Sequence, residues 1–407
     1  MTSVVVPVVA EGLIASAADR GDRMASARRP ELPYLDGMRG AAALAVVAFH
    51  AFLYTGVTGQ AWRDLPLVGW ITGYGYLGVP VFIVLSGYVL MLPVAGRPGL
   101  DLRHGTATFL RRRARRILPP YFAALALSLL MALAIPVMRD GAGTAWESAA
   151  PATPAGIASH VLLLQDLSPA WVSQVNAPLW SVAVEWQIYF IMPLMLLPLW
   201  RRWGGLPVVA VATVVMTGAS LAGFAPWACP WLLGLFAAGM LAAELTVGAR
   251  PRWASDRLLL AVAVGAAAVL LLGITVLQGS VWAAELVAGA GFASLLAWAG
   301  GRTMAGSRPR ALGAFVTRPA QRLGLVSYSV YLVHSPFLAL GNLLLLPLGL
   351  PTGAHAALML LVVAPLAVAA GFGFFHLVER HFLNTRQVHV TETADPGAAP
   401  VAPRPAA

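Results

Sequence analysis

A helix needs roughly 20 predominantly apolar residues to cross the hydrocarbon core of a bilayer. This chain holds ten stretches near that length: 41–57, 73–94, 120–138, 179–200, 206–224, 227–247, 258–277, 280–300, 323–345 and 356–378. The first is short, and its helix can begin nearer Tyr34. No water inside a bilayer satisfies a stray backbone N–H or C=O, so such segments are expected to be helical. Charged residues are 11% of the 407 and hydrophobic residues 59%, whereas a soluble chain carries about 25% charge. The expected fold is an all-α integral membrane protein, a bundle of about ten transmembrane helices solvated by membrane lipid.

All 27 basic residues are arginine. With the N-terminus inside, the cytosolic segments are 1–40, 95–119, 201–205, 248–257, 301–322 and 379–407. These hold 25 arginines and leave only Arg63 and Arg139 opposite. That bias is what the positive-inside rule expects, and a wrong helix count would scramble it. The reading is a multi-pass cell-membrane protein of the bacterial inner-membrane kind, with both termini cytosolic. The same rule accounts for the net charge of +10 without a nucleic-acid partner.

Residues 1–32 read as a flexible cytosolic arm. Val4–Ala10 is apolar, but no basic residue precedes it and Glu11 ends it, unlike a signal peptide. Residues 33–380 form the transmembrane domain. Residues 381–407, rich in Ala and Pro, read as a disordered cytosolic tail. The longest external segment is 139–178, where the apolar run 156–164 is too short to span and falls in a loop or re-entrant segment. No clear internal repeat occurs, which argues against a transporter built from inverted repeats. A lone Cys229 excludes an internal disulfide and a Cys-based metal cluster. No metal and no tightly bound cofactor is expected.

Ionisable residues inside a membrane are costly and point to function. His50 lies in the first expected helix, Glu185 in the fourth and His334 in the ninth. Arg39 precedes His50 by eleven positions, which is three helical turns and a rise of about 16 Å. Both side chains then share one helix face, with the arginine at the cytosolic surface. That separation suits the reach of a phosphopantetheine arm. A snorkelling arginine and a histidine hydrogen-bonded between helices would have the same spacing.

The run RRRARRILPPY, 111–121, crowds five arginines into six positions. It fits an anchor beside anionic lipid and equally a clamp on phosphates. Ser181, Glu185 and Tyr189 form one polar helix stripe, and Ser327, Tyr331 and His334 another. Such stripes line a bundle interior or a wet cavity rather than lipid.

LDGMRG with His50, GYLGVPVFIVLSGY, RRRARRILPPY, PLWSVAVEWQIYF and LGLVSYSVYLVHSP occur in this order. Together they resemble the signatures of acyltransferase-3 integral membrane O-acyltransferases over about residues 33–380. Ile83, where relatives often carry Phe, and ERHF at 379–382, without the usual proline, depart from the pattern. The departure at ERHF weakens an assignment to Glu379. The resemblance is to the stand-alone type, without a C-terminal SGNH domain. It implies acyl transfer from acyl-CoA to a carbohydrate or lipid hydroxyl, with Arg39 and His50 as the family's Arg–His pair, Arg113 and Arg116 as its RxxR element, and Glu185 as its fourth-helix carboxylate. On this reading His50 is the base, or forms an acyl intermediate, and Glu185 orients its ring. Arg39, Arg113 and Arg116 hold CoA phosphates. Ser86, Tyr331, His334, Trp146 and Trp171 are candidate acceptor contacts, the tryptophans because the long external segment carries them. A proton-coupled transporter, or a non-catalytic partner in polysaccharide export, is the competing reading.

Overall fold

The computed structural model describes residues 32–139, 141–148, 152–272, 280–307 and 309–383. Met1–Leu32 and Pro33–Ala407 are separate units, and every helix named below belongs to the second. The expected arm, but for Leu32, and the tail beyond Leu383 lie outside the described residues.

Among the described residues, ten long helices match the ten apolar stretches. They are α1 (Tyr34–Tyr54), α2 (Pro66–Ala95), α3 (Gly105–Ala134), α4 (Ala177–Trp203), α5 (Gly205–Leu221), α6 (Pro226–Val247), α7 (Asp256–Leu272), α8 (Val281–Met304), α9 (Arg318–Leu348) and α10 (Thr352–Leu377). Eight are long and apolar enough to cross a membrane, and α5 and α7 have 17 described residues each. The expected end of α7 falls in residues 273–279, outside the described ones. Among the described residues there is no strand. α3 begins at Gly105 rather than at residue 120, because arginine is a good helix former that strongly lowers hydropathy. The run at 156–164 forms the eight-residue helix Pro154–Val161, whose first turn Thr153 caps by accepting from the Gly156 N–H at 3.0 Å.

Glycine seams join several helices of the bundle, and two of them bear on the site. In the first, α1 packs on α9: a Cβ at Gly40 would meet the Gly324 nitrogen, and a Cβ at Gly324 would collide with the Asp36 carbonyl oxygen. Contacts then advance together along both helices, from Gly40 with Gly324 through His50 with His334 and Tyr54 with Ser335. The helices therefore run parallel and place equal depths side by side. In the second seam α2 packs on α6, where a Cβ at Gly87 would strike the Phe236 carbonyl and one at Gly239 the Val84 carbonyl. Small residues permit such approach where hydrophobic attraction between helices is weak.

The arginine-rich ends of the helices meet. Arg201 bonds Asp101 at 2.9 Å, and Arg302 lies 3.7 Å from Asp256. At the other end Gln60 bonds Thr352 at 3.2 Å, and the Asn342 side chain bonds both the N–H and the carbonyl of Gly56. α9 carries Pro336 in its interior, which cannot donate to the carbonyl four residues back. That carbonyl, of Leu332, is satisfied by Asn176 Nδ2 at 2.9 Å, and the same nitrogen reaches Ser128 Oγ at 3.0 Å. Asn176 thereby joins α9 to α3 and to the segment entering α4.

Candidate active site

Polar groups gather at two levels. The first lies toward the arginine-rich end, on α1, α2, α3 and α4. In the arginine run, Arg111, Arg112 and Arg115 are exposed, whereas Arg113 and Arg116 are partly buried. Helical spacing of three turns these two inward together, so one run presents both exposed and inward-turned arginines. Arg113 feels the charges of Arg39, Arg116 and Glu185. Arg39 is itself paired with Asp36 at 3.1 Å. Glu185 accepts a 2.5 Å hydrogen bond from Tyr189, and Tyr189 meets Ser86 Oγ at 3.0 Å. Just beyond Tyr189, Pro193 falls in a π-helical turn, Met192–Leu196, a distortion frequent at functional sites.

The second level is about 16 Å deeper along α1, by the rise from Arg39 to His50. His50 is partly buried. Its Nδ1 lies 2.9 Å from the Val46 carbonyl and 3.2 Å from Nε2 of His334. Among the described residues its own Nε2 makes no hydrogen bond. His334 is fully buried, with Nδ1 2.7 Å from the Tyr331 carbonyl and 3.1 Å from that of Val330.

Several expectations need correction. Glu185 does not orient His50: no bond joins them, and the carboxylate belongs to the arginine level. The ring partner is His334, expected as an acceptor contact; both of its nitrogens are engaged within the protein. Tyr331 is also spent internally, meeting Ser181 Oγ at 2.6 Å and donating to the Pro178 carbonyl at 3.0 Å. Ser86 sits with Glu185 and Tyr189 rather than beside His50. Trp146 is 2% exposed, packed in the core with Met138 and Leu343, and its indole N–H reaches the Met138 carbonyl at 3.4 Å. It offers no stacking face. Trp171 is partly exposed and keeps its place as a candidate contact.

Two carboxylates escape a reading of the sequence, and a third, Glu379, is more firmly held than its motif suggests. Glu244 and Glu285 accept indole N–H bonds from Trp200 at 2.9 Å and Trp231 at 2.6 Å. Both lie near helix ends, where hydropathy discounts them. Glu379, 1% exposed, accepts from Ser329 N–H at 3.1 Å and Ser329 Oγ at 2.5 Å. Burial holds its carboxyl above the ordinary range, against the pull of Ser329 and Arg116. Its bonds to α9 survive without the proline that ERHF lacks. Among the described residues no three His, Cys, Asp or Glu side chains gather as a metal site requires.

The profile of a family described as an acyltransferase domain matches residues 32–375. The chain is 28% identical over 397 residues to BcsY of Komagataeibacter xylinus, named as a membrane-bound transacylase, covering 90% of this chain and 86% of BcsY. It is 29% identical over 192 residues to the acyltransferase MdmB of Streptomyces mycarofaciens, 45% of each chain. It is 25% identical over 199 residues to the peptidoglycan O-acetyltransferase OatA of Listeria monocytogenes, 47% of this chain and 28% of OatA. The matched stretch thus spans less than half of MdmB and of OatA. No solved structure matches the chain.

Proposed function

The chain belongs to the acyltransferase-3 family, and from that premise we propose that it moves an acetyl or other short acyl group from acyl-CoA to a hydroxyl of a carbohydrate, glycolipid or glycosylated natural product. The two-level site is the observation that carries this reading. Arg113 and Arg116 turn inward at one end with Arg39, and an imidazole nitrogen without a hydrogen bond among the described residues lies about 16 Å farther along α1. Acyl-CoA enters from the cytosol at the arginine-rich end. Guanidinium groups hold its phosphates, as they hold phosphate elsewhere, and the thioester reaches His50. Glu185, bonded to Tyr189, offsets the mutual repulsion of the arginines.

A sugar or lipid hydroxyl attacks a thioester poorly until a base removes its proton. His50 Nε2 takes that proton as the oxygen bonds to the acyl carbon. The carbon–sulfur bond then breaks, and the imidazolium returns the proton to the leaving CoA thiolate. Ester and CoA–SH leave, and His50 is neutral again.

The test supplies isotope-labelled acetyl-CoA to purified protein in proteoliposomes with candidate glycan and lipid acceptors. Labelled ester from wild type but not from His50→Ala is expected. Proton-coupled flux of the acceptor without ester formation would replace acyl transfer with the transporter reading.

A further inference from the structure

We propose that His334 is a positioning residue, which fixes the His50 ring with its bare Nε2 toward substrate and carries part of the charge when His50 is protonated. This rests on His50 acting as the base and goes beyond it by assigning a second histidine a distinct part in the step.

Hydrogen-bond valence gives the protonation pattern. Both near neighbours of His334 Nδ1 are carbonyl oxygens, of Tyr331 and Val330, and a carbonyl can only accept. The neutral His334 ring therefore carries its proton on Nδ1 and presents a lone pair at Nε2. That lone pair lies 3.2 Å from His50 Nδ1, whose other neighbour is the Val46 carbonyl at 2.9 Å. Two acceptors surround this nitrogen, so it holds the His50 proton. His50 Nε2 is then unprotonated, the form a general base requires. Each ring thus carries its proton on Nδ1, set by α9 for His334 and by α1 and α9 together for His50.

The Val46 carbonyl belongs to His50's own helix and restrains the ring from one side. His334 adds a second restraint from the neighbouring helix, and the ring centroids lie 5.0 Å apart, tilted by 56°. Tyr54, bonded to Ser335 at 2.8 Å, packs its ring edge-on against His50. When Nε2 gains the substrate proton, Nδ1–H becomes a charged donor, and its bond to His334 strengthens with charge. A buried carboxylate in this place would add the desolvation cost of a second ion. A neutral imidazole orients and polarises without it.

The test compares His334→Leu, which fills the space without accepting, with His334→Gln, whose amide oxygen can accept. Both are reconstituted full-length with wild type, His50→Gln and labelled acetyl-CoA. His334→Leu should lower kcat about 10- to 100-fold, the worth of one hydrogen bond to a charged group. Donor affinity and the acceptor KM should stay unchanged, and His334→Gln should recover most of the rate. Nitrogen-15 NMR of histidine-labelled protein in nanodiscs, with His50 identified by signal loss in His50→Gln, should show the wild-type ring protonated at Nδ1. The Nε2–H form should rise in His334→Leu. A wild-type His50 protonated at Nε2, or full kcat in folded His334→Leu with His50→Gln inactive, would overturn the positioning role and leave the base. Near-normal single turnover in His50→Gln would remove the base, and this role with it.

Discussion

The two glycine seams are built alike and do different work. α1 on α9 and α2 on α6 both bring backbone to backbone by removing a Cβ at each crossing. Beyond its crossing, the α2–α6 seam offers one polar pair, Tyr88 with Thr246 at 3.0 Å. The α1–α9 seam carries His50 with His334, Tyr54 with Ser335, and Gly56 with Asn342. Close packing is thus a general means of joining helices in lipid, and the proposed chemistry is assigned where a polar row rides on it. The difference predicts that damage to one seam separates from damage to the other.

The sharpest break is His50→Ala. The base should contribute about 10²–10⁴-fold to the chemical step, so single-turnover transfer at saturating acyl-CoA should fall by that order in a protein of unchanged thermal stability. Near-normal turnover would make the α1–α9 row as structural as the α2–α6 one.

Gly324→Ala and Gly239→Ala then compare the seams directly. Each added Cβ meets a carbonyl oxygen, and overpacking of this kind destabilises by about 1–3 kcal/mol. Stability should drop in both. Turnover per folded molecule should fall strongly only in Gly324→Ala, since a displacement near 1 Å at a catalytic group can cost about 10²-fold. Equal turnover in the two folded variants would erase the distinction.

Arg113→Ala and Arg116→Ala test whether donor binding lies outside both seams. Each should weaken acyl-CoA affinity by roughly ten- to a hundred-fold while leaving single turnover at saturating donor close to wild type. Arg111→Ala and Arg112→Ala, exposed on the same helix, are the matched controls and should bind donor normally. The smallest effect belongs to Trp171→Ala. A rise of a few-fold in acceptor KM is expected from one lost stacking surface, and an unaltered KM would remove Trp171 from the site.

The bundle is legible in the sequence because hydropathy records it: the described residues of each of the ten apolar stretches fall mostly on a helix, and the arginines mark the ends that meet. The candidate residues can be named from the sequence, but their partners cannot. Pairing Glu185 with His50 requires the fourth helix to meet the first at that depth, yet the carboxylate faces the arginine level. The pairing of His50 with His334 depends on the parallel run of α1 and α9, which periodicity within one helix cannot reveal. A signal is present in Gly40 and Gly324, small residues on the helices that carry His50 and His334. Trp146 looks available in the sequence because loops are usually open, and burial against Met138 and Leu343 reverses that.

Asn176 bears on how the segment that leads into α4 could be redesigned. Residues 139–178 look like an interchangeable module, a cassette between two helices that could be swapped for the corresponding stretch of a relative. Its last residues are not interchangeable, because Asn176 supplies the donor that Pro336 withholds from Leu332. A graft lacking that amide would leave a carbonyl bare two residues from His334, and an unsatisfied backbone group in hydrocarbon costs several kcal/mol. A transplanted cassette must therefore end before Asn176, or bring its own amide together with a host that keeps Ser128 and Pro336.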